Sequence, residues 1–247
     1  MKLVVTGDDA QLAVHEWGER GGIPIVFWHA LGPDASGAEL ADVAAILAGA
    51  GFHVMAVDGP GFGKSPLMPA QGYRLESLVS LLHDLIDVLE VDRPVVMGHS
   101  WGGAIGVRYA AAHPHDVRAL VLLDSGHIDY ADLVDVDPAR PVEEWVAEVK
   151  AREDPRRAEA RGRAMCGLTD PVSDAWPAIA EHDIPTLLFL ATELPHVDEN
   201  RRHIARFEAS IPHADVRWPA GASHGLLADI GAPLGDEIAT WLVEQGL

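Results

Sequence analysis

The segment Gly98-His99-Ser100-Trp101-Gly102 limits the possible folds of this chain more than any other stretch. An apolar, β-branched run at 94–97 precedes it, and a run of small residues at 103–112 follows it. This order predicts a strand, a sharp turn and a helix, with the serine at the turn. Glycines two positions before and two positions after the serine leave room for the turn, because a Cβ there would crowd the neighbouring strand or helix. The segment therefore predicts a nucleophile elbow that lifts the Ser100 hydroxyl above a sheet.

Length and composition are those of one globular domain. A chain of 247 residues can bury a single large α/β core, and its 48% hydrophobic and 23% charged residues are ordinary for a soluble fold. The net charge of −20 comes from carboxylates scattered along the chain. Such a surface repels phosphodiester backbones and anionic lipid headgroups, so we expect neither nucleic acid nor a membrane as a partner.

The cysteine content and the first residues bear on the compartment. Cys166 is the only cysteine and cannot form an intramolecular disulfide. The residues that follow Met1 do not resemble a secretory signal, and the longest apolar stretches are too short to span a membrane. We therefore expect a cytoplasmic location.

Strand-like runs alternate with helical patterns along the chain, which predicts a mostly parallel sheet flanked by helices. The strand-like runs lie at 3–6, 12–17, 23–28, 53–57, 94–97, 117–123, 185–190 and 214–218. The helical patterns lie at 38–50, 75–89, 103–112, 142–150, 156–165, 197–210 and 234–243.

One stretch interrupts this alternation. Between two predicted sheet strands, residues 125–183 carry two helical patterns instead of one. We interpret this stretch as a small helical cap inserted into a core formed by 1–124 and 184–247, since insertions above strand ends shape substrate access. The alternative is an ordinary crossover with an extra surface helix.

Four motifs in a fixed order resemble the α/β-hydrolase fold family. They are His29-Ala30-Leu31-Gly32 after the third strand, 58–65 after the fourth, the elbow after the fifth, and Ala222-Ser223-His224-Gly225 near the end. The resemblance covers nearly the whole chain and implies an eight-stranded α/β-hydrolase fold.

The resemblance also implies roles for individual residues. Ser100 is the predicted nucleophile, and His224 is the predicted general base, because an imidazole titrates near neutrality and can accept and return the serine proton. The backbone N–H groups of Leu31 and Trp101 are the predicted oxyanion-hole donors. Ala30 stands where glycine is frequent in the family, which bears on the conformation of the loop that carries Leu31.

The acid of the triad has two candidates. In many family members an aspartate follows the seventh strand, but here the matching stretch is Ala191-Thr192-Glu193-Leu194-Pro195 and a leucine takes its place. Other members carry the acid at the end of the sixth strand, where this chain has Asp124. We predict Asp124, with Glu193 as the alternative.

Two patterns resemble ligand sites without meeting their requirements. The stretch 61–65 is similar to the end of a phosphate-binding loop, but Asp58 stands where its first glycine is required. In His113-Pro114-His115 the proline prevents a shared helical face. We expect neither a metal nor a cofactor.

A serine nucleophile with a histidine base predicts acyl transfer to water. We expect a carboxylic-ester hydrolase acting on a small, largely apolar acyl substrate. Lactone, thioester or carbon-carbon bond hydrolysis, peroxidase-type activity and a ligand-binding receptor on the same fold are the alternatives. Five apolar residues could line the pocket or pack in the core: Trp28, Leu31, Trp101, Trp145 and Trp176.

Overall fold

A computed structural model describes residues 1–6, 10–32, 34–132, 154–193 and 197–247. Its strands form one eight-stranded sheet in the order β1-β2-β4-β3-β5-β6-β7-β8. The pairs β1·β2 and β2·β4 are antiparallel, and the other neighbours are parallel. The bounds are β1 Lys2–Val5, β2 Gln11–Trp17, β3 Ile23–Trp28, β4 Phe52–Asp58, β5 Val95–His99, β6 Ala119–Leu123, β7 Thr186–Phe189 and β8 Asp215–Arg217.

Helices cover both faces of this sheet. Their bounds are α1 Ala41–Gly49, α2 Leu75–Val88, α3 Trp101–Ala112, α4 Pro155–Gly167, α5 Trp176–Glu181, α6 Val197–Ser210 and α7 Leu226–Glu244. The predicted mostly parallel sheet flanked by helices is confirmed. No helix in the described ranges combines the length and apolar character needed to cross a bilayer.

The alternation of side chains along each strand divides the core in two. Ile25 and Phe27 of β3 join a cluster with α1 and α7. Val26 and Trp28, which point to the opposite face, join a cluster with α2, α3 and α5. Because the central parallel strands are covered on both sides, they are apolar along their whole length.

Two helices differ from their predicted extents. The pattern at 38–50 divides into a 3-10 turn, Gly37–Leu40, followed by α1. A helical segment that begins at Leu226 precedes the last predicted helix, and a break at Gly231 (φ 1°, ψ −96°), two residues before Pro233, separates the two. The predicted helix at 142–150 lies outside the described residues.

The described residues between β6 and β7 form short helical elements that pack on other parts of the fold. A 3-10 turn spans Tyr130–Asp132, α4 packs on the segment Ala70–Tyr73, and α5 packs on α3. Strand ends that point the same way meet at one sheet edge, so the residues that follow β3, β5 and β6 lie close together there.

Candidate active site

The elbow has the strained geometry that its sequence predicts. Ser100 is the single residue between β5 and α3. Its backbone has φ 52° and ψ −113°, and residues other than glycine rarely adopt a positive φ. A Cβ on Gly98 would meet the backbone of Gly102 and Gly103, and a Cβ on Gly102 would meet the carbonyl of Trp28. Both glycines are therefore required where the helix passes the neighbouring strands.

Three side chains from distant parts of the sequence form a hydrogen-bonded chain. His224, in the turn between β8 and α7, has its Nε2 3.0 Å from Ser100 Oγ. Its Nδ1 lies 2.6 Å from Asp124 Oδ2, directly after β6. The Asp124 side chain is 4% exposed and that of His224 is 52% exposed. The hydrogen-bonded chain thus runs from a buried carboxylate, through a half-exposed imidazole, to a partly exposed hydroxyl.

Asp124 is held rigidly by the end of the neighbouring strand. Its N–H donates to the Phe189 carbonyl at 2.7 Å, and its Oδ1 accepts the Ala191 N–H at 3.0 Å. Burial by itself would raise the pKa of this carboxyl. The hydrogen bond and charge of His224, the Ala191 N–H and the charge of His127 outweigh that effect and hold the pKa below its ordinary value. The carboxylate is therefore ionised at neutral pH.

Glu193, the alternative acid, does not reach the histidine. Its side chain is exposed, and its backbone N–H donates to the Ala222 carbonyl at 3.0 Å. The structure brings Asp124 to His224 at the sixth strand end, while Leu194 and Pro195 lie outside the described residues.

The two predicted oxyanion donors flank the elbow. The N–H of Gly102 donates to the His29 carbonyl at 3.2 Å, which ties the loop carrying Leu31 to the first turn of α3. Within the described ranges, neither the Leu31 nor the Trp101 N–H donates to a protein acceptor. Ala30 is not among the described residues with positive φ, so alanine fits in the place where glycine is frequent without backbone strain.

His29 fixes this loop as a neutral imidazole. Its Nδ1 donates to the Ala30 carbonyl at 2.5 Å, and its Nε2 accepts the Gly59 N–H at 2.8 Å. Complete burial is the main cause that lowers the pKa of His29, which favours the one-proton form that these two contacts require. His29 therefore has a structural part in the site and does not contact Ser100.

Glu39 links the oxyanion loop to the histidine turn, and the sequence analysis did not single it out. Its Oε1 lies 3.3 Å from the Ala30 N and 3.3 Å from His99 Nδ1. The other ring nitrogen of His99 lies 2.7 Å from the His224 carbonyl. Both contacts of His99 are to oxygen atoms, so its ring lies between the Glu39 carboxylate and the backbone carbonyl of His224. Local sequence contains no signal for Glu39 beyond an acidic residue in a first helical turn.

Tyr130 is a second functional candidate that sequence reasoning missed. It follows β6 by seven positions, and its hydroxyl lies near enough to the Ser100 side chain and the Asp124 charge for both to affect its pKa, which burial raises to about 12. A single tyrosine in a loop has no distinguishing pattern, which is why only the three-dimensional structure reveals this proximity.

The aromatic residues expected either to line the pocket or to pack in the core are placed in the core where they are described. Trp28 and Trp101 are buried and meet edge to face, with ring centroids 5.7 Å apart. Trp176 is also buried, and its Nε1 donates to the Gly126 carbonyl at 2.9 Å. Leu31 is partly buried, and Trp145 lies outside the described residues.

The turn at 58–65 already holds a carboxylate where a phosphate-binding loop would hold its ligand. Asp58 Oδ1 accepts the Gly37 N–H, and Asp58 Oδ2 accepts the Lys64 N–H, both at 2.8 Å. The N–H groups of Gly61, Phe62 and Ser65 also donate to protein carbonyls. This turn supports the site structurally.

A separate cluster of His83, His113 and Asp116 has ligand atoms within 4.8 Å of one another. The two imidazoles are stacked 4.2 Å apart at 9°, so their in-plane lone pairs do not converge on one point. Binding an ion here would first require one ring to rotate. His115 instead packs against His182, with ring centroids 5.0 Å apart.

A family model for the α/β hydrolase fold matches residues 23–152, which is more than half of the chain. The chain therefore belongs to the α/β-hydrolase fold family. Two solved structures extend the likeness over the whole length. The match to an Exiguobacterium antarcticum esterase covers 97% of this chain and 98% of the esterase, with a TM-score of 0.75 and 19% sequence identity. The match to a Bacillus anthracis bromoperoxidase covers 98% of this chain and 99% of the bromoperoxidase, with a TM-score of 0.76 and 20% sequence identity.

Curated relatives match over a shorter region. The chain is 36% identical over 127 residues to a Cupriavidus pinatubonensis protein named 2-hydroxy-6-oxononadienedioate/2-hydroxy-6-oxononatrienedioate hydrolase, covering 50% of the chain and 44% of that protein. It is 36% identical over 124 residues to a Mycobacterium phage D29 protein whose name is that of a candidate non-heme haloperoxidase, covering 50% and 43%. The chain thus matches less than half the length of these relatives.

Proposed function

We propose that this protein is a serine hydrolase that cleaves a small carboxylic ester through an acyl-enzyme on Ser100. The observation that carries the proposal is the unbroken hydrogen-bonded chain from Ser100 through His224 to Asp124. Each member has the chemistry its position requires: a hydroxyl, an imidazole and an ionised carboxylate.

The reaction follows from these contacts. Ser100 Oγ attacks the ester carbonyl carbon while its proton passes to His224 Nε2, and the N–H groups of Leu31 and Trp101 stabilise the resulting oxyanion. The imidazolium, supported by Asp124, then protonates the departing alcohol. Water attacks the acyl-enzyme by the same route, with its proton going to His224. The bond between the acyl carbon and Ser100 Oγ then breaks, His224 returns the proton to Oγ, and the carboxylic acid leaves.

Carbon-carbon bond hydrolysis is the second candidate, because the Cupriavidus relative is named as a hydrolase of 2-hydroxy-6-oxo dienoates. The same serine and histidine would then act on a ketone carbonyl. The bond that breaks would be the one between the carbonyl carbon and its neighbouring carbon, which would leave as a stabilised carbanion. The two reactions differ in the group that leaves and not in the groups that attack.

A panel of p-nitrophenyl esters from acetate to octanoate tests the proposal, with a 2-hydroxy-6-oxo-dienoate as the carbon-carbon substrate. We expect ester turnover highest for short acyl chains and at least about 10⁴-fold lower in Ser100→Ala. A fluorophosphonate should label the wild-type protein and Ser80→Ala, which removes an exposed helical serine. It should leave Ser100→Ala unlabelled.

Three results would contradict the ester proposal. Turnover of the dienoate without esters would favour the carbon-carbon reaction. Labelling of Ser100→Ala would place the nucleophile elsewhere. An unlabelled wild-type protein would favour a ligand-binding receptor.

A further inference from the structure

We infer that His99 is a positioning residue for the general base: its imidazole holds the backbone of His224, so that the His224 ring reaches both Ser100 and Asp124. The inference rests on the proposed serine-hydrolase chemistry. It starts from two contacts that consecutive residues make to one partner. His99 Nε2 lies 2.7 Å from the His224 carbonyl oxygen, and Ser100 Oγ lies 3.0 Å from His224 Nε2.

The strained elbow explains how two neighbouring side chains reach the same residue. Along a regular strand, consecutive side chains point to opposite faces of the sheet. His99 is the last residue of β5, and at Ser100 the backbone leaves the strand with φ 52°. This turn lets His99 contact the main chain of His224 while Ser100 contacts its side chain. The nucleophile's strand and the base are thus joined at two points.

The hydrogen bond from His99 to the His224 carbonyl has only one possible direction. A carbonyl oxygen only accepts, so His99 Nε2 carries a proton and donates. His99 is 6% exposed, and its ring centroid lies 5.2 Å from that of His224. In such a buried place a hydrogen bond is stronger than in water, because the local dielectric constant is lower.

The ring of His99 is itself held in place. Glu39 Oε1 lies 3.3 Å from its Nδ1, on the side away from the His224 carbonyl contact. The backbone of His99 is in register with Leu123 of β6, and Asp124 is the next residue along that strand. His99 is therefore fixed relative to the acid as well as to the nucleophile.

Other contacts hold the two residues that precede His224 in its turn. The Thr192 N–H donates to the Ala222 carbonyl at 2.8 Å, and Thr192 Oγ1 accepts the Ala222 N–H at 3.2 Å. The Ser223 N–H and hydroxyl donate to Asp229 Oδ2 at 2.7 and 2.6 Å. These contacts fix the entry of the turn, and the contact from β5 fixes the carbonyl of the base itself.

The exposure of the general base gives this backbone contact its weight. The His224 side chain is 52% exposed, so packing restrains its ring only in part. Proton transfer needs donor and acceptor within hydrogen-bond distance, and a displacement of about 1 Å can cost about 100-fold in rate. His224 moves a proton twice in acylation, first from Ser100 and then to the departing alcohol. A displaced ring should therefore slow most those esters whose alcohol needs that proton.

His99→Met and His99→Gln in the full chain test this assignment. The two new side chains are equally long, but only the glutamine amide offers an N–H at about the reach of His99 Nε2. We expect kcat/KM for p-nitrophenyl butyrate to fall about 10- to 100-fold in His99→Met and to stay within about fivefold of wild type in His99→Gln.

A second ester distinguishes a displaced base from a general loss of folded protein. For ethyl butyrate the loss in His99→Met should be at least about threefold larger than for p-nitrophenyl butyrate, since ethoxide departs only with a proton and p-nitrophenoxide departs without one. The ratio of the two kcat/KM values does not depend on the fraction of folded protein.

His213→Met is the matched control. His213 Nε2 lies 2.9 Å from the Ile184 carbonyl, so this substitution removes the same kind of hydrogen bond. Ile184 lies just before β7, at the end of that strand away from the site. Both esters should be hydrolysed with the wild-type kcat/KM.

The rate of fluorophosphonate labelling separates this inference from the proposed ester activity, because labelling requires only that His224 activates Ser100. It should fall at least about 10-fold in His99→Met and recover in His99→Gln. If the wild-type protein is labelled but hydrolyses no ester, only the ester proposal is wrong, and the labelling rates decide the role of His99. If the wild-type protein is not labelled, both are wrong.

Four results would overturn the role of His99 alone. They are wild-type rates in His99→Met, equal losses in His99→Met and His99→Gln, equal losses on the two esters, and a His99→Met protein that does not fold. The last result would mean that the ring serves the fold and not the position of the base.

Discussion

The Asp124 carboxylate has two oxygens with different tasks, and replacing one of them tests the site directly. Oδ2 receives His224 Nδ1 and Oδ1 receives the Ala191 N–H. In Asp124→Asn the amide nitrogen cannot serve as an acceptor, so the imidazole loses the tautomer that accepts the serine proton. We expect kcat on p-nitrophenyl esters to fall about 10⁴-fold, measured at pH 7.

Glu193→Gln is the matched control for Asp124→Asn, since it makes the same chemical change on an exposed side chain at the next strand end. Its kcat should equal that of the wild-type protein. Activity that survives Asp124→Asn and disappears in Glu193→Gln would reverse the assignment of the acid.

Sequence alone predicts those site residues that have a local signal. Ser100 lies between two required glycines, and His224 lies in a short motif after the last strand. Glu39 and Tyr130 have no such signal. Glu39 is 60 positions from His99, and the packing of its 3-10 turn against β3 and β4 brings them together. The choice of Asp124 over Glu193 likewise depends on which strand end faces the histidine, a property of the sheet.

The 3-10 turn Gly37–Leu40 acts as a brace between the oxyanion loop and the elbow strand, because it carries Glu39. In Glu39→Gln the remaining side-chain oxygen can still accept from the Ala30 N–H and His99, but the negative charge that strengthens both hydrogen bonds is lost. We expect kcat/KM for p-nitrophenyl esters to fall about 10-fold, as a misplaced oxyanion donor predicts. The thermal unfolding midpoint should change little, since glutamine has nearly the size and shape of glutamate and leaves no cavity.

Glu76→Gln provides the comparison for Glu39→Gln. Glu76 also lies in the first turn of a helix, α2, but its side chain is exposed. We expect this variant to keep the wild-type kcat/KM. If both variants behave alike, the brace has no part in the activity.

The regular elements follow from local patterns, and their ends follow from packing. Alternating strand and helix runs are enough to predict the sheet, because buried parallel strands are continuously apolar. The predicted start of the last helix at 234 follows the break at Gly231 and Pro233, because both residues are typical helix breakers. A further helical segment from Leu226 precedes the break, and the element as a whole packs against α1.

The net charge of −20 on 247 residues makes the molecule selective among substrates before any pocket contact forms. A negative surface lowers the local concentration of anions, and salt relieves that effect as the Debye length falls from about 30 Å at 0.01 M to about 10 Å at 0.1 M. The reaction at the serine is the same for a neutral and an anionic ester. The ratio of their kcat/KM values therefore isolates the field of the whole molecule.

We expect this ratio, measured for mono-p-nitrophenyl succinate against p-nitrophenyl butyrate, to rise about threefold between 0.02 and 0.3 M NaCl. The neutral ester supplies the control, since its kcat/KM should vary little with salt. A ratio that falls with salt would mean that cationic groups at the cleft outweigh the overall charge. That result would favour a dianionic substrate, such as the one in the name of the Cupriavidus relative, over a neutral ester.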